Sequence, residues 1–185
     1  MYDAARLHAA LNDFPAALLL AAVLFDFAAV VWKRESLAWA GIWTLWAGVV
    51  GGWAAVIAGN LAEESIDHGE AIHELMERHE LLGYVTMGIF TVVLGWKLWR
   101  RVGRGAAEEW VLRGLGAVGV VTLILLGNVG GRLVFEHAAG VPSDKMHAEL
   151  LDRGVLLPGA DSMRTAADSQ AGGHQHAPGT PPHEH

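Results

Sequence analysis

Three histidines stand where long apolar stretches meet polar sequence, and imidazole binds both haem iron and metal ions. His8 comes before the first apolar stretch, His79 before the third, and His137 after the fourth. Histidines on facing helices can supply the axial ligands of a haem. Arg132 is a candidate partner for a haem propionate, because a guanidinium group binds carboxylates with two parallel hydrogen bonds.

Three interpretations of these histidines stay open. The first is a b-type haem held by His79 with either His8 or His137, which would serve electron transfer to a redox partner. Glycines near these histidines would let the flat macrocycle approach the backbone: Gly83, Gly127, Gly130 and Gly131. The second is a Zn or Cu ion bound by all three histidines, with help from Asp13 or Glu136. In the third, the histidines only cap helix ends, and the chain is an accessory or scaffold subunit of a membrane assembly.

The elements that must position these side chains are four apolar stretches. They account for an apolar fraction of 52% and cover residues 14–32, 37–61, 81–99 and 110–135. About 20 apolar residues cross the hydrocarbon core of a bilayer, and a lone segment can satisfy its backbone there only as a helix. The sequence therefore predicts an all-α fold in which a four-transmembrane-helix bundle occupies residues 1–141.

Basic residues predict the orientation of this bundle. They concentrate around the loops 33–36 and 100–109: Lys33, Arg34, Lys97, Arg100, Arg101, Arg104 and Arg113. Basic residues favour the cytoplasmic side, so both termini should face outward, to the periplasm if the cell has one. All ten histidines of the chain then fall on the outer side. The expected surroundings are the lipid bilayer of the inner membrane, and no basic, aromatic-laced face suggests nucleic acid.

The segments outside the apolar stretches predict smaller features. The acidic connection 62–80 suits a short surface helix, and its Glu70-x-x-His73 step is only a weak match to di-iron bundles. A second short helix is predicted in 142–157, capped by Ser143 and stopped by Gly154. Residues 158–185 are predicted to be disordered, with four histidines that suit weak Zn, Cu or Ni binding: His174, His176, His183 and His185.

Asp26 is an acid inside the first apolar stretch, where a charge is costly. The interpretation that we favour is structural, with a hydroxyl or indole partner across the bundle: Thr44, Thr91, Thr122 or Trp46. A proton relay would need a second acid or a histidine at the same depth, and the sequence has none there. Lys97 is expected to extend its ammonium group toward the interface.

A weak internal repeat predicts two similar helical hairpins. His8 and His79 lead the first and third stretches, and the second and fourth each end in Gly-Asn, at Gly59-Asn60 and Gly127-Asn128. The glycines of the second stretch predict close helix packing, and both asparagines predict hydrogen bonds between helices.

Motifs for catalysis do not stand out in this chain. It has no cysteine, which excludes disulfides and thiolate metal sites. No nucleophile–base pair, P-loop or dinucleotide fingerprint is evident either. The sequence therefore gives no positive support for an enzyme.

Three motifs make the chain resemble a family of bacterial membrane proteins, Domain of Unknown Function 2231. They are Leu7-His-Ala-Ala-Leu-Asn-Asp-Phe-Pro15, His79-x3-Gly83, and Gly130-Gly-Arg-Leu-Val-Phe-x-His137-x2-Gly140-Val141. Ala9 stands where the family usually has a proline after its histidine. The resemblance covers roughly residues 7–141, implies a four-span membrane domain, and suggests that His8, His79 and His137 belong to one site.

Overall fold

The computed structural model describes residues 2–63, 70–100, 103 and 105–154, and its described part is all helical. Four long helices follow one another: α1 (Tyr2–Trp32), α2 (Glu35–Glu63), α3 (Glu70–Trp99) and α4 (Ala106–His137). Each contains a segment long and apolar enough to span a membrane. The predicted all-α bundle of four spans is confirmed.

The four helices pack as two antiparallel hairpins. α1 lies along α2 and α3 along α4, while contacts of α2 with α3 and of α1 with α4 close the ring. α1 and α3 are therefore diagonal to each other. The core lies at their centre and includes Leu19, Leu45, Met87 and Phe90, of which Phe90 has no exposed surface.

Small residues allow the first hairpin to pack closely, as the glycines of the second stretch predict. A Cβ atom on Gly48 would lie 2.8 Å from Leu19 Cδ2, and one on Gly51 would lie 3.5 Å from Pro15 Cβ. Close approach of backbones is how helices associate where lipid removes the usual hydrophobic drive.

α3 corrects one prediction. Residues 70–80 of the acidic connection are not a separate surface helix, because α3 begins at Glu70 and continues without a break to Trp99. Two i,i+4 pairs support these first turns, His73–Glu77 at 3.3 Å and Glu74–Arg78 at 2.6 Å. His79 consequently lies well inside a helix and not at its end.

A fifth helix, α5 (Ser143–Asp152), belongs to a second compact unit that begins at Val141. Its N-cap is Pro142, one residue before the predicted Ser143, because Ser143 already has helical geometry. It ends near Arg153, and Gly154 has a φ of +72°, as expected for a glycine that stops a helix. The predicted disordered tail 158–185 lies outside the described residues, and so do His68 and the four tail histidines.

Candidate functional site

Two of the three candidate histidines meet inside one end of the bundle. The ring centroids of His8 and His79 are 6.3 Å apart, and the ring planes are nearly perpendicular at 85°. His8 is on α1 and His79 is on α3, the two diagonal helices. Both side chains are half-buried, so they fill the interior at the end opposite the hairpin turns.

A backbone carbonyl fixes the orientation of His8. Its Nδ1 lies 2.8 Å from the carbonyl oxygen of Ala55 on α2. A carbonyl can only accept, so Nδ1 must carry the proton and Nε2 carries the lone pair in the neutral ring. Metal-ligating histidines commonly donate their second ring N–H in this way, which orients the ring and sets its tautomer.

His79 has a less well-formed polar contact than His8. Its Nδ1 is buried and makes no hydrogen bond of standard geometry among the described residues. The backbone of Leu126 on α4 is nevertheless close enough to interact with the ring. Leu126 lies one turn before Gly130, as Ala55 lies one turn before Gly59, so each histidine faces the same part of the helix beside it.

Each histidine ring packs against a glycine of the other helix in its own hairpin. A Cβ atom on Gly59 would lie 3.0 Å from His8 Cε1, and one on Gly130 would lie 2.9 Å from His79 Cε1. The two hairpins thus repeat one arrangement, histidine against glycine. The sequence repeat aligned Gly59 with Gly127, whereas the equivalent contact is made by Gly130, about one turn later.

Other glycines proposed for the approach of a haem have different surroundings. A Cβ atom on Gly83 would lie 4.0 Å from Val56 Cγ2, and a Cβ atom on Gly127 or on Gly131 would have no neighbour within 4 Å. Gly130 is therefore the glycine of this group that the structure places against a candidate ligand.

His137 and Arg132 lie at the exposed end of α4. His137 is the last residue of the helix, which stops because Ala138 adopts left-handed geometry with φ 52°. Arg132 Nε donates to both carboxylate oxygens of Glu136, at 3.2 and 3.1 Å. A propionate would have to share this arginine with Glu136. Among the described residues, no three His, Cys, Asp or Glu side chains form a group that could hold a metal ion.

A hydrogen bond next to the histidine pair confirms one predicted polar contact. Asn60 Nδ2 donates to the hydroxyl of Tyr84 at 2.6 Å, which links α2 to α3. The Tyr84 ring also lies 6.3 Å from that of Trp53, whose indole donates to Thr91. Asn60 is thus an interhelical contact, as its place in the second stretch predicts.

At the other end of the bundle, Asp26 has cationic partners and not the predicted hydroxyl or indole. Lys97 Nζ lies 2.8 Å from Asp26 Oδ1, and Arg113 Nε lies 3.8 Å from Oδ2. Thr44 and Thr122 instead donate to backbone carbonyls of their own helices. Lys97 is 5% exposed, so it does not reach the interface as predicted. An ionised acid and base that both lie in apolar stretches stabilise each other, and that signal was present in the sequence.

The comparison with known families agrees with this architecture. The model of a family described as a predicted membrane protein, DUF2231, matches residues 4–143. The chain belongs to this family. The DUF2231 match includes all of the four-helix bundle except the first two residues of α1, and it includes both members of the histidine pair, as the sequence resemblance predicted. Neither a curated protein nor a solved structure matches the chain.

Proposed function

We propose that this DUF2231 protein binds one b-type haem through His8 and His79 and passes electrons within the membrane. The observation that carries the proposal is the histidine pair itself. Two imidazoles bonded at about 2 Å to opposite sides of one metal ion leave their ring centroids about 6 Å apart. The separation between His8 and His79 is 6.3 Å.

The surroundings of the pair support a haem rather than an isolated metal ion. His8 and His79 would be enough to hold a haem, whereas a zinc site usually needs at least one more protein ligand. Haem iron would supply one-electron chemistry, and the protein would orient and bury it. The Ala55 carbonyl orients His8, and Gly59 and Gly130 leave the space that both rings occupy.

Arg132 is the proposed partner of a haem propionate. It is on α4 close to Gly130, which contacts His79. Its side chain is 48% exposed and already pairs with the exposed Glu136. Replacing one carboxylate by another at such a surface costs little, because exposed ion pairs contribute at most about 1 kcal/mol.

Absorption spectroscopy tests the proposal directly. Protein purified in a mild detergent from haem-replete cells should show a Soret band, and the band should shift on reduction with dithionite. His8→Ala and His79→Ala should each lose or strongly reduce it. His73→Ala and His147→Ala remove exposed histidines of α3 and α5 and should leave it unchanged.

Two results would reject the haem assignment. One is the absence of a Soret band from wild-type protein both as purified and after addition of hemin. The other is a band that survives in both His8→Ala and His79→Ala.

Metal analysis of a variant with all four tail histidines changed to alanine tests the weaker proposal that His174, His176, His183 and His185 capture Zn or Cu.

A further inference from the structure

The end of the bundle that carries both hairpin turns contains a second polar feature. A cavity of about 230 Å³ opens there between all four long helices. Four cationic side chains line it: Lys33, Arg34, Lys97 and Arg113. The cavity is at the opposite end from His8 and His79, so it is separate from the proposed haem site.

Three carboxylates also line this cavity, and each already has a partner. Asp26 pairs with Lys97 at 2.8 Å. Glu109 accepts from Arg113 at 3.2 Å, and Glu35 accepts from the indole of Trp39 at 3.2 Å. Asp26 and Glu109 are therefore neutralised by cations of the bundle, whereas Glu35 has a neutral partner and keeps its charge.

The cationic groups are not all balanced in this way. Lys33 and Arg34 are exposed at the mouth of the cavity and form no ion pair within the described residues. Arg113, deeper inside, is by contrast paired with Glu109 at 3.2 Å and with Asp26 at 3.8 Å. The cavity thus has two positive charges at its mouth that no described carboxylate pairs with, which favours an anion there.

The remaining wall of the cavity is apolar, and this selects the kind of anion. Ala29, Val30, Ala38 and Ile42 line the side formed by α1 and α2. A free inorganic anion gains nothing from such a wall, whereas the glycerol and first methylenes of a lipid would be in contact with it. Basic pockets between transmembrane helices are known sites for acidic lipid head groups.

We propose that this cavity binds the head-group phosphate of an anionic phospholipid from the adjacent leaflet. The phosphate lies beside Lys33 and Arg34 at the mouth of the cavity, and the acyl chains extend along the apolar wall into the bilayer. If the basic loops are cytoplasmic, this is the leaflet in which positive residues normally meet anionic lipid.

Lipid titration of the full chain in neutral detergent tests this site. Short-chain phosphatidylglycerol, phosphatidylcholine of the same chain length, and inorganic phosphate are added separately, and bound lipid is counted by native mass spectrometry. The test variant is Lys33→Gln/Arg34→Gln, because both residues are exposed and should tolerate the change. Its matched control is Arg78→Gln/Lys145→Gln, which removes the same charge from exposed positions outside the cavity.

Wild type and the control should retain phosphatidylglycerol in preference to phosphatidylcholine. The test variant should bind phosphatidylglycerol on the order of tenfold more weakly, since each basic residue near a lipid head group contributes a few-fold in affinity. Equal binding of both lipids by wild type, or unchanged affinity in the test variant, would overturn the proposal. Displacement of phosphatidylglycerol by an equal concentration of inorganic phosphate would also overturn it, because the site would then belong to a free anion.

Discussion

At the residue scale, Gly130 and Gly131 are neighbours on α4 that meet different surroundings. A methyl group on Gly130 would overlap the His79 ring, since its Cβ would lie 2.9 Å from Cε1. A methyl group on Gly131 would meet nothing within 4 Å. Alanine at both positions changes helix propensity in the same way, but only alanine at Gly130 should displace the His79 ring. A comparison of the two variants therefore separates these effects.

We expect Gly130→Ala to destabilise the protein by about 1–3 kcal/mol, the usual cost of overpacking. It should also shift or weaken any haem spectrum, because His79 must move. Gly131→Ala should be neutral or stabilising by up to about 1 kcal/mol, since alanine is the better helix former. Thermal unfolding in detergent measures both effects. Equal effects of the two variants would show that the Gly130 contact with His79 is not tight.

The charges around Asp26 should make substitutions at Asp26 and at Lys97 unequal in their cost to stability. Asp26 has two cations near it, so Lys97→Met still leaves Arg113 at 3.8 Å. Asp26→Asn instead removes the carboxylate that both Lys97 and Arg113 face. Removing one partner of a buried pair costs on the order of 3–5 kcal/mol, and we expect Asp26→Asn to approach that range and Lys97→Met to cost less. Thermal unfolding of both single variants and of the double variant checks the order. A larger loss in Lys97→Met would show that Arg113 does not compensate the charge of Asp26.

At the scale of elements, much of the bundle follows from the sequence because lipid leaves few alternatives. An apolar stretch of sufficient length in a bilayer must be a helix, and short loops make consecutive helices antiparallel. The lipid does not determine where the helices end outside it, so the sequence predicts those ends less well. α3 begins at Glu70, about two and a half turns before His79, because i,i+4 pairs and good helix formers extend it into water.

The sequence predicts the partners of individual side chains less completely than it predicts the helices. The pairing of His8 with His79 requires both to point inward from diagonal helices, and rotation of a helix about its axis is set by packing against Gly59 and Gly130. The hydrogen bond to Ala55 involves only a backbone oxygen, which leaves no mark on residue type. Asp26 and Lys97 differ, because their opposite charges in two apolar stretches are a signal for a pair, which the assignment of Asp26 to a hydroxyl or indole overlooked.

A substitution in the turn between α1 and α2 should have opposite effects on stability and on lipid binding. Lys33 has left-handed geometry with φ 51°, which is strained for a residue with a side chain. Lys33→Gly should therefore stabilise the hairpin by up to about 1 kcal/mol. It should at the same time weaken binding of phosphatidylglycerol, because it removes a cation at the mouth of the cavity. Thermal unfolding and native mass spectrometry measure the two effects separately.

Arg34 provides the control for that turn. It lines the same cavity but does not have a positive φ, so Arg34→Gly should lower lipid binding without the gain in stability. Stabilisation by Arg34→Gly equal to that by Lys33→Gly would show that backbone strain is not the cause.

At the scale of the whole molecule, the two ends of the bundle differ in chemistry. One end contains the hairpin turns, the basic residues that flank them and the paired Asp26. Most tryptophans at this end are exposed, as is typical of aromatic side chains at a membrane interface. The other end holds the His8–His79 pair. With the basic end in the cytoplasm, the proposed haem lies near the outer surface and the proposed lipid site lies in the inner leaflet.

This orientation is testable because the chain contains no cysteine, so single cysteines can be added to an otherwise unchanged protein. Ser36→Cys and Ala106→Cys place an exposed thiol at the two basic turns, and Glu77→Cys places one on the first turns of α3. In intact cells, a membrane-impermeant maleimide should label Glu77→Cys alone, and permeabilised cells should show labelling of all three. Labelling of Ser36→Cys and Ala106→Cys but not Glu77→Cys in intact cells would invert the topology. It would place the histidine pair on the cytoplasmic side, where a haem would meet a different set of redox partners.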